Sequence, residues 1–339
     1  MEEISVDRIY NKLEVREINP WKRLYFERRF ISERKNKKIL YIHTPFCKSK
    51  CKYCVYSSDI PRTNDEIDFF VEKIIPKQIE LYHNVFENVV FDQVYFGGGT
   101  PSIMTTKQLS KIFDNVPYFD SIVNKCFEAS PATISSEHIS LLQDKHFTFL
   151  SVGIQSLDKK ILGKYNRPFV SIERLEKICN EVRGTDIFLN LDLICYLNKG
   201  DIRDLPKFED ELRMVLERFR PHSVTIHQYY QSIFTTEKTY YLLEVLKRVI
   251  QYSKEYCFSD NSYELETNEI ILDTYKQAEY RLVRYEKKDY RHYMWDKYAT
   301  LPVEGYDILS LGYTATCHTT SNVDKMVYVA TNDTLVYSV

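Results

Sequence analysis

Glycine and long apolar runs are both scarce in this sequence. Only nine of 339 residues are glycine, well under half of the roughly 7% found in average proteins. No apolar run approaches the ~18 residues that a membrane helix needs. The opening MEEISVDRIYNKLEV mixes charges and lacks the apolar segment of a secretory signal. We therefore expect a cytoplasmic protein that binds no membrane.

An excess of one charge is lacking as well. Forty-six Lys and Arg residues stand against 48 Asp and Glu residues, which gives a net charge of −2. Nucleic-acid-binding proteins usually carry a basic footprint, so we expect no nucleic acid partner. Hydrophobic residues at 44% and charged residues at 28% lie near the globular average, which excludes disordered, collagen-like and coiled-coil classes.

Two clusters stand out against this background. Three of the nine glycines are consecutive, in the segment GGGTP at 97–101. Such a run indicates backbone that bends sharply or approaches a ligand where no Cβ fits. Three of the eight cysteines fall at Cys47, Cys51 and Cys54. In a cytoplasmic chain a tight cysteine cluster indicates a metal or catalytic site rather than disulfides.

Short β-prone runs alternate with amphipathic segments along the first two thirds of the chain. The predicted strands lie at 39–43, 91–98, 124–130, 148–154, 187–194 and 222–230. Helices are predicted to begin after Thr63, Thr105 and Ser171 and to cover 203–219 and 236–258. The first two carry capping-box spacings, Thr63-x-x-Glu66 and Thr105-x-x-Gln108.

This alternation favours a parallel sheet of right-handed βαβ units. We predict an α/β fold with a partial (β/α)6 barrel at 39–235, an N-terminal extension at 1–38 and a short C-terminal region at 236–339. In such sheets functional groups collect at the carboxyl ends of the strands. The predicted strand ends carry the cysteine loop, the GGGTP segment, Glu128, Gln155, Asp192 and His227.

The spacing Cys47-x3-Cys51-x2-Cys54 suits a soft metal centre. An all-cysteine [4Fe–4S] cluster has four cysteine ligands, so three leave one iron open for another ligand. A structural zinc site with His43 as fourth ligand is one alternative, and unliganded thiols are another. The nearby GGGTP backbone, which can hydrogen-bond a small polar ligand, favours the open cluster.

The segments YIHTPFCKSKCKYC at 41–54 and GGGTPS at 97–102 closely resemble motifs of the radical S-adenosylmethionine (radical SAM) superfamily. Within it the sequence resembles the oxygen-independent coproporphyrinogen III oxidases and their relatives, the HemN and HemW proteins. LSVGIQSL at 150–157 with Asn166-Arg167, and LDLI at 191–194, are similar to further motifs of that family. The resemblance covers about 39–230 and implies a partial (β/α)6 radical SAM barrel.

The resemblance implies a role for each matched residue. Cys47, Cys51 and Cys54 would hold a [4Fe–4S] cluster whose open iron binds S-adenosylmethionine. Electron transfer from the cluster would cleave this ligand to a 5′-deoxyadenosyl radical. An electron donor such as flavodoxin or ferredoxin is implied. The positions matched to the family's ligand contacts are Tyr41, Tyr53, Gly98, Gly99, Thr100 and Glu128.

Gln155, Arg167 and Asp192 match family positions that bind a second S-adenosylmethionine. A guanidinium meets carboxylates in a bidentate fork, which suits the clamping of such a ligand. An ion pair between Arg167 and Asp192 at the barrel mouth is the structural alternative. One or two molecules of S-adenosylmethionine are therefore expected as cofactor.

The sequence also departs from the porphyrinogen oxidases. Cys54 is followed by VYSS without a further cysteine, and only 24 residues follow Ala315. We therefore expect a radical SAM enzyme that acts on another small-molecule substrate, through methyl transfer or carbon–carbon bond formation. The alternatives are anaerobic tetrapyrrole chemistry, as an oxidoreductase, and a haem chaperone without turnover that uses His292, His227 or His318.

Overall fold

In the computed structural model, the strands follow the order of the sequence prediction. The residues described are 20–54, 56, 58–195, 205–229, 236–258, 279–284, 305–312, 316–320 and 326–330. The first six strands are β1 Lys37–Thr44, β2 Gln93–Gly98, β3 Asn124–Ala129, β4 Phe149–Gln155, β5 Phe188–Cys195 and β6 Ser223–Gln228. Each pairs in parallel with the next, so the α/β fold and the predicted order are confirmed.

Five later strands extend this sheet at both edges. They are β7 Tyr256–Phe258, β8 Glu279–Arg284, β9 Tyr306–Gly312, β10 Thr316–Thr320 and β11 Met326–Ala330. The strand order across the described residues is β11-β10-β9-β1-β2-β3-β4-β5-β6-β8-β7. β9 is parallel to β1, whereas β8 runs antiparallel to β6. The parallel part of the sheet thus gains a seventh strand from the C-terminal region.

Helices follow the strands and cover one side of the sheet. The α-helices are Pro20–Ser32, Asn64–Phe69, Ile75–Leu81, His83–Asn88, Thr106–Asn115, Ser136–Asp144, Lys159–Lys164, Ile172–Arg183, Leu205–Met214 and Thr236–Ser253. Five-residue π-helical segments lie at Phe70–Ile74 and Val215–Phe219. None of the helices in the described ranges has the length and apolar character needed to cross a membrane.

All three helices begin directly after the predicted residues Thr63, Thr105 and Ser171, and two of these residues also cap their helices as predicted. The Thr105 side chain accepts from the Gln108 amide and the Gln108 side chain caps in return, while Ser171 caps its own helix. The Thr63 capping box is wrong, since the Thr63 side chain makes no cap hydrogen bond. Glu66 accepts from the Arg62 amide instead, which satisfies a backbone donor one residue earlier.

The helix predicted at 236–258 is shorter than expected. It ends at Ser253, and Lys254 takes a left-handed φ of 54° that an α-helix does not accommodate. The chain then enters β7, which pairs with β8. The proposed boundaries at 38 and 235 stay a prediction, although strands from beyond residue 235 share the sheet with β1 and β6.

The two faces of the sheet differ in character. The helix-covered face holds the main hydrophobic core. The inner face holds a smaller apolar cluster near the amino ends of the strands: Ile39, Tyr41, Tyr95, Cys126, Phe149, Phe188 and Ile308. The inward-facing residues that come next along these strands are polar, among them Glu128, Asn190 and Asp192. The apolar layer therefore closes the barrel floor and leaves its polar residues at the carboxyl end.

A buried ion pair joins β9 to β1 at the amino end of the sheet. Lys38 Nζ contacts Asp307 Oδ2, with side-chain exposures of 9% and 0%. Lys38 also donates to the Phe30 carbonyl, and Asn36 Nδ2 donates to Asp307 Oδ1 at 3.0 Å. These contacts tie the helix Pro20–Ser32 and β9 to the first strand.

We expect Lys38→Met to lower the free energy of unfolding by about 3–5 kcal/mol, because it leaves the Asp307 carboxylate buried without its cation. The double variant Lys38→Met/Asp307→Leu should recover most of that loss, since no charge then remains buried. Urea unfolding of the two variants and the wild type measures both effects. A double variant less stable than Lys38→Met would contradict this account of the pair.

Candidate functional site

The loop that follows β1 carries the three predicted cluster cysteines. Its ends are joined, because the Cys47 amide donates to the Asp59 carbonyl at 2.9 Å and the Asp59 amide donates to the Pro45 carbonyl at 2.7 Å. Its middle is held by the chain beyond β4, where the Lys52 amide donates to the Tyr165 carbonyl at 2.9 Å. Backbone hydrogen bonds from two directions thus fix the path of the loop.

The three thiols lie within electrostatic reach of one another. Burial raises the pKa of Cys54, and the charges of Cys47 and Cys51 raise it further. Cys47 Sγ lies 3.4 Å from Thr100 Oγ1, and Arg167 Nη1 lies 3.9 Å from Cys51 Sγ. A hydroxyl that follows β2 and a guanidinium that follows the helix Lys159–Lys164 therefore reach the sulfur atoms.

The positions of the three thiols distinguish a site for a single zinc ion from a site for a [4Fe–4S] cluster. Among the described residues, no group of three or more His, Cys, Asp or Glu side chains is placed to hold a single metal ion. Zinc needs its sulfur and nitrogen donors within about 2.3 Å of one centre. Cysteines on a [4Fe–4S] cluster bind different irons, so their sulfurs need not meet at one point. The geometry gives no support to the zinc alternative with His43.

The end of β2 is hydrogen-bonded to the start of the cysteine loop. The Gly99 amide donates to the Thr44 carbonyl at 2.7 Å, and the Thr100 amide donates to the Phe46 carbonyl at 2.8 Å. The glycine triplet therefore lies beside the cysteine loop, as the parallel sheet predicts.

Two of the three glycines are required by this close approach. Gly98 has a φ of 104°, and a Cβ there would lie 2.7 Å from the His43 ring. At Gly99 a Cβ would lie 2.4 Å from the Phe46 carbonyl oxygen, which is backbone and cannot rotate away. The glycines thus bring two backbone segments closer together than any side chain permits.

Glu128 is a buried carboxylate at the end of β3. Tyr95 donates its hydroxyl proton to Glu128 Oε1, and the Gly98 amide also hydrogen-bonds the carboxylate. Burial raises the pKa of Glu128 to about 7; the Tyr95 hydrogen bond opposes this effect, and the charge of Asp192 adds to it. The carboxyl group is therefore poised to change charge near neutral pH.

Gln155 and Arg167 meet at an irregularity in β4. The register with β5 shifts between Gly153 and Gln155, and Gln155 takes a left-handed φ of 66°. Arg167 donates to the Gly153 carbonyl and to Cys51 Sγ. The guanidinium is thus directed at the cysteine loop, and among the described residues it forms no ion pair with Asp192.

Asp192 is held by a buried network of neutral polar groups. Ser151 Oγ donates to Asp192 Oδ2 at 2.7 Å, and Asn190 Nδ2 donates to Asp192 Oδ1 at 2.8 Å. Asn190 Oδ1 accepts from Ser223 and Thr225 at 2.7 and 3.0 Å. Because both hydroxyls donate to the amide oxygen, the Asn190 amide is fixed with its nitrogen towards the carboxylate.

Three buried polar atoms near these strand ends lack a hydrogen-bond partner among the described residues: Thr44 Oγ1, Tyr53 Oη and Gln155 Oε1. Buried polar groups are usually paired, so each such atom marks a place where a bound molecule can complete the hydrogen bonding. Together with the glycine backbone and the thiols, these atoms fit a polar ligand beside a sulfur-bound cluster.

Sequence reasoning missed Tyr95 and Asn190. Each lies two residues before a residue already singled out, Gly97 in β2 and Asp192 in β5. Side chains two residues apart on a strand lie on the same face of the sheet. This alternation is the sequence signal that could have identified both residues. The sequence does not indicate that they contact Glu128 and Asp192.

The proposed haem ligands are distributed differently. His292 lies outside the described residues. His227 is half-buried near the end of β6, and His318 lies in β10. Of the two candidates that the structure describes, His227 is the one near the carboxyl end of a parallel strand.

Comparison with known proteins identifies the family of this arrangement. The model of the Radical SAM superfamily matches residues 41–212, just over half of the chain. The chain is 30% identical over 191 residues to the heme chaperone HemW of Lactococcus lactis, across 54% of this chain and 46% of that protein. It is 28% identical over 162 residues to the oxygen-independent coproporphyrinogen III oxidase of Helicobacter pylori, across 46% and 35% respectively.

These matches thus span less than half the length of either relative. Among solved structures, coproporphyrinogen III oxidase (HemN) of Escherichia coli, described as a radical SAM enzyme, superposes with a TM-score of 0.68 at 17% identity. That superposition covers 91% of this chain and 69% of the other. At this identity the likeness is one of fold.

We expect Gly99→Ala to disrupt the junction between β2 and the cysteine loop, lowering the free energy of unfolding by about 1–3 kcal/mol. Gly163→Ala is the matched control, because a Cβ there meets nothing within 4 Å. It lies in a helix, so it should be neutral or stabilising by about 0.5–1 kcal/mol. Urea unfolding measures both, and equal effects would contradict the steric argument.

Burial of Glu128 predicts a pH-dependent stability. Its pKa rises from 4.5 to about 7 on folding, so between these values the folded chain binds more protons than the unfolded one. Stability therefore falls as pH rises through this window, by about 3 kcal/mol at most for this group. Relative to Glu128→Gln, the wild type should lose stability between pH 5 and 8 in urea titrations of the cluster-free protein. Parallel profiles for the two proteins would show that Glu128 titrates normally.

Proposed function

This chain belongs to the radical SAM superfamily, and we propose that it holds a [4Fe–4S] cluster on Cys47, Cys51 and Cys54 and binds S-adenosylmethionine at the carboxyl end of the sheet. The observation that carries this proposal is the junction of the cysteine loop with the glycine backbone of β2. When bound and reduced, the cluster supplies the electron that cleaves S-adenosylmethionine to methionine and a 5′-deoxyadenosyl radical.

The residues of the chain supply binding and charge. The Arg167 guanidinium, 3.9 Å from Cys51 Sγ, places a positive charge beside one of the sulfur atoms that would bind iron. The backbone at Gly98 and Gly99 contacts the methionyl part of the ligand. Glu128 accepts from the ribose hydroxyls in its ionised form, and Tyr95 holds the carboxylate in place.

A second S-adenosylmethionine is the finer part of the proposal. Gln155 offers a buried oxygen without a partner in the described part of the chain, which a bound amino group completes. Asp192 is held as an acceptor by Ser151 and Asn190. Because Arg167 is directed at Cys51, Gln155 and Asp192 carry the argument for this second site. We propose that the second molecule donates a methyl group to a small-molecule substrate, or otherwise serves in carbon–carbon bond formation.

Tetrapyrrole chemistry or haem binding is the second candidate. It is favoured by the names of the relatives, a haem chaperone and a coproporphyrinogen oxidase, which match about half of this chain. His227 at the end of β6 is the described histidine best placed to contact such a ligand. Retention of haem by the purified protein, with no product from S-adenosylmethionine, favours this candidate.

The cluster is tested by anaerobic reconstitution with iron and sulfide, followed by reduction and addition of S-adenosylmethionine. We expect 5′-deoxyadenosine from the wild type and none from Cys51→Ala, whose visible absorbance should also fall because a cluster ligand is lost. Cys179→Ala is the control, since that cysteine is buried in the helix Ile172–Arg183. Chromatography of the products decides the outcome. A Cys51→Ala variant with full iron content and product yield would refute the proposal.

The variant Asp192→Asn tests whether the protein uses one or two molecules of S-adenosylmethionine. It keeps the shape of the side chain and touches none of the cysteines, so deoxyadenosine should still form. If a second S-adenosylmethionine gives up its methyl group, the wild type yields S-adenosylhomocysteine as well, and Asp192→Asn should lower that yield at least tenfold. Both products are quantified by mass spectrometry with purified candidate substrates. Equal loss of both products in the variant would assign Asp192 to the first ligand.

A further inference from the structure

The outward side of the cysteine loop is basic. Residues 45–62 contain four basic side chains and one acidic side chain, in a chain whose net charge is −2. Lys48, Lys50 and Lys52 alternate with or flank the cysteines, and all three are exposed. The thiols of Cys47 and Cys51 are half-buried and buried respectively. The loop thus directs sulfur inward and positive charge outward.

Most of this positive charge has no anionic partner among the residues that the structure describes. The side chains of Lys48, Lys52 and Arg62 form no hydrogen bond or ion pair with the described residues. Lys50 differs, because its ammonium donates to the Tyr56 and Ser58 carbonyls and so braces the loop. Carbonyl oxygens carry no net charge, so these two contacts do not neutralise the charge of Lys50.

Apolar side chains are exposed on the same loop. Tyr56 is 55% exposed and Ile60 is 50% exposed. We define the basic loop face as Lys48, Lys52, Tyr56, Ile60 and Arg62. Exposed aromatic and aliphatic side chains bordered by positive charge form a surface that suits contact with a protein of negative charge.

Another cation lies beside this face. The Lys52 amide donates to the Tyr165 carbonyl at 2.9 Å, which places the exposed Lys164 next to the loop. Lys164 Nζ lies over the Tyr165 ring, 5.5 Å from its centroid. The positive region therefore extends from the cysteine loop to the helix Lys159–Lys164.

We propose that the basic loop face is the docking surface for an acidic one-electron carrier protein of the flavin or iron–sulfur type. The inference rests on the proposed function, which requires one electron for each cleavage event. The carrier is oxidised by one electron and the cluster held by the cysteines is reduced by it, with no bond or proton exchanged.

The position and the charge of the face both support this assignment. Electron transfer weakens steeply with distance, and Lys48 and Lys52 are the chain neighbours of Cys47 and Cys51. Opposite charges steer such partners together and allow fast association through a small, transient interface. Four cations on one loop are few for a nucleic-acid or lipid surface, which makes an acidic protein the better match.

Charge reversal at two lysines tests the surface. We expect Lys48→Glu/Lys52→Glu to slow reduction of the reconstituted protein by reduced flavodoxin or ferredoxin about tenfold or more at low ionic strength. Stopped-flow absorbance follows the reduction. Photoreduced 5-deazariboflavin, which is small and uncharged, should reduce the variant and the wild type at equal rates. The two carriers, tested separately, distinguish the flavin from the iron–sulfur class.

Lys35→Glu/Lys254→Glu is the matched control with the same change in net charge. Lys35 is exposed and lies just before β1. Lys254 is exposed and lies just before β7. Because β7 pairs with β8 and β8 pairs with β6, Lys254 lies near the start of β6. Both lie at the amino end of the sheet, away from the cysteine loop. Reduction of this control by the carriers should stay within about twofold of the wild type, because steering depends on local charge.

Binding without turnover gives an independent readout. Calorimetry with oxidised flavodoxin should show weak association that is lost in 0.5 M salt and in Lys48→Glu/Lys52→Glu, since screening and charge reversal remove the same attraction. The docking-surface proposal would be overturned if the carriers reduced the wild type and Lys48→Glu/Lys52→Glu at equal rates. It would also be overturned if both double variants lost the same fraction of that rate. Tighter binding of the wild type to phosphatidylglycerol vesicles than to either carrier would assign the face to a lipid surface instead.

These outcomes are separable from the proposed function. If reconstitution gives no cluster absorbance, the proposed function and the docking surface fail together. If deazariboflavin supports deoxyadenosine formation but the carriers reduce the wild type and the charge-reversal variant at the same rate, only the docking-surface proposal fails.

Discussion

The site depends on one backbone junction, in which the end of β2 is hydrogen-bonded to the chain that leaves β1. The Gly99 and Thr100 amides donate to the Thr44 and Phe46 carbonyls, and Phe46 directly precedes the first cysteine. A Cβ at Gly99 would overlap the Phe46 carbonyl oxygen. The junction therefore exists because this chain, otherwise so poor in glycine, places glycine there. It sets the cysteine loop against bare backbone, which is where a small polar ligand can be held beside a cluster.

The barrel interior explains why Glu128 and Asp192 lie above the apolar floor, towards the carboxyl ends of the strands. Phe149 and Phe188 stack at 5.6 Å within the apolar floor, so the lower half excludes water. Above the floor, Glu128 accepts a hydrogen bond from Tyr95. Asp192 accepts hydrogen bonds from Ser151 and Asn190. Burial of a carboxylate is costly unless it is hydrogen-bonded. The residual cost appears as the raised pKa of Glu128, in a position where a bound ligand can offset it.

Much of this arrangement was predictable because it is local. Alternating apolar runs fixed six strands to within a few residues, and Thr105 and Ser171 cap their helices as expected. The parallel order then implied that the cysteine loop and the glycine triplet are neighbours. Non-local features were not predictable. The pairing of β9 with β1 joins residues that are far apart in the sequence. Nothing in the sequence indicates that Asp307 is the buried partner of Lys38. The failed cap at Thr63 reflects competition from the Arg62 amide for the Glu66 side chain.

The sequence by itself determined the superfamily, the cysteine spacing and the glycines, because each is a property of residues close together along the chain. Only the tertiary structure decided how those residues act on one another. It directed Arg167 towards Cys51 rather than Asp192, oriented Asn190 through Ser223 and Thr225, and brought Tyr95 to Glu128. The physical reason is that hydrogen bonding and desolvation act over a few ångströms in space, and only the folded sheet brings separate strand ends within that distance.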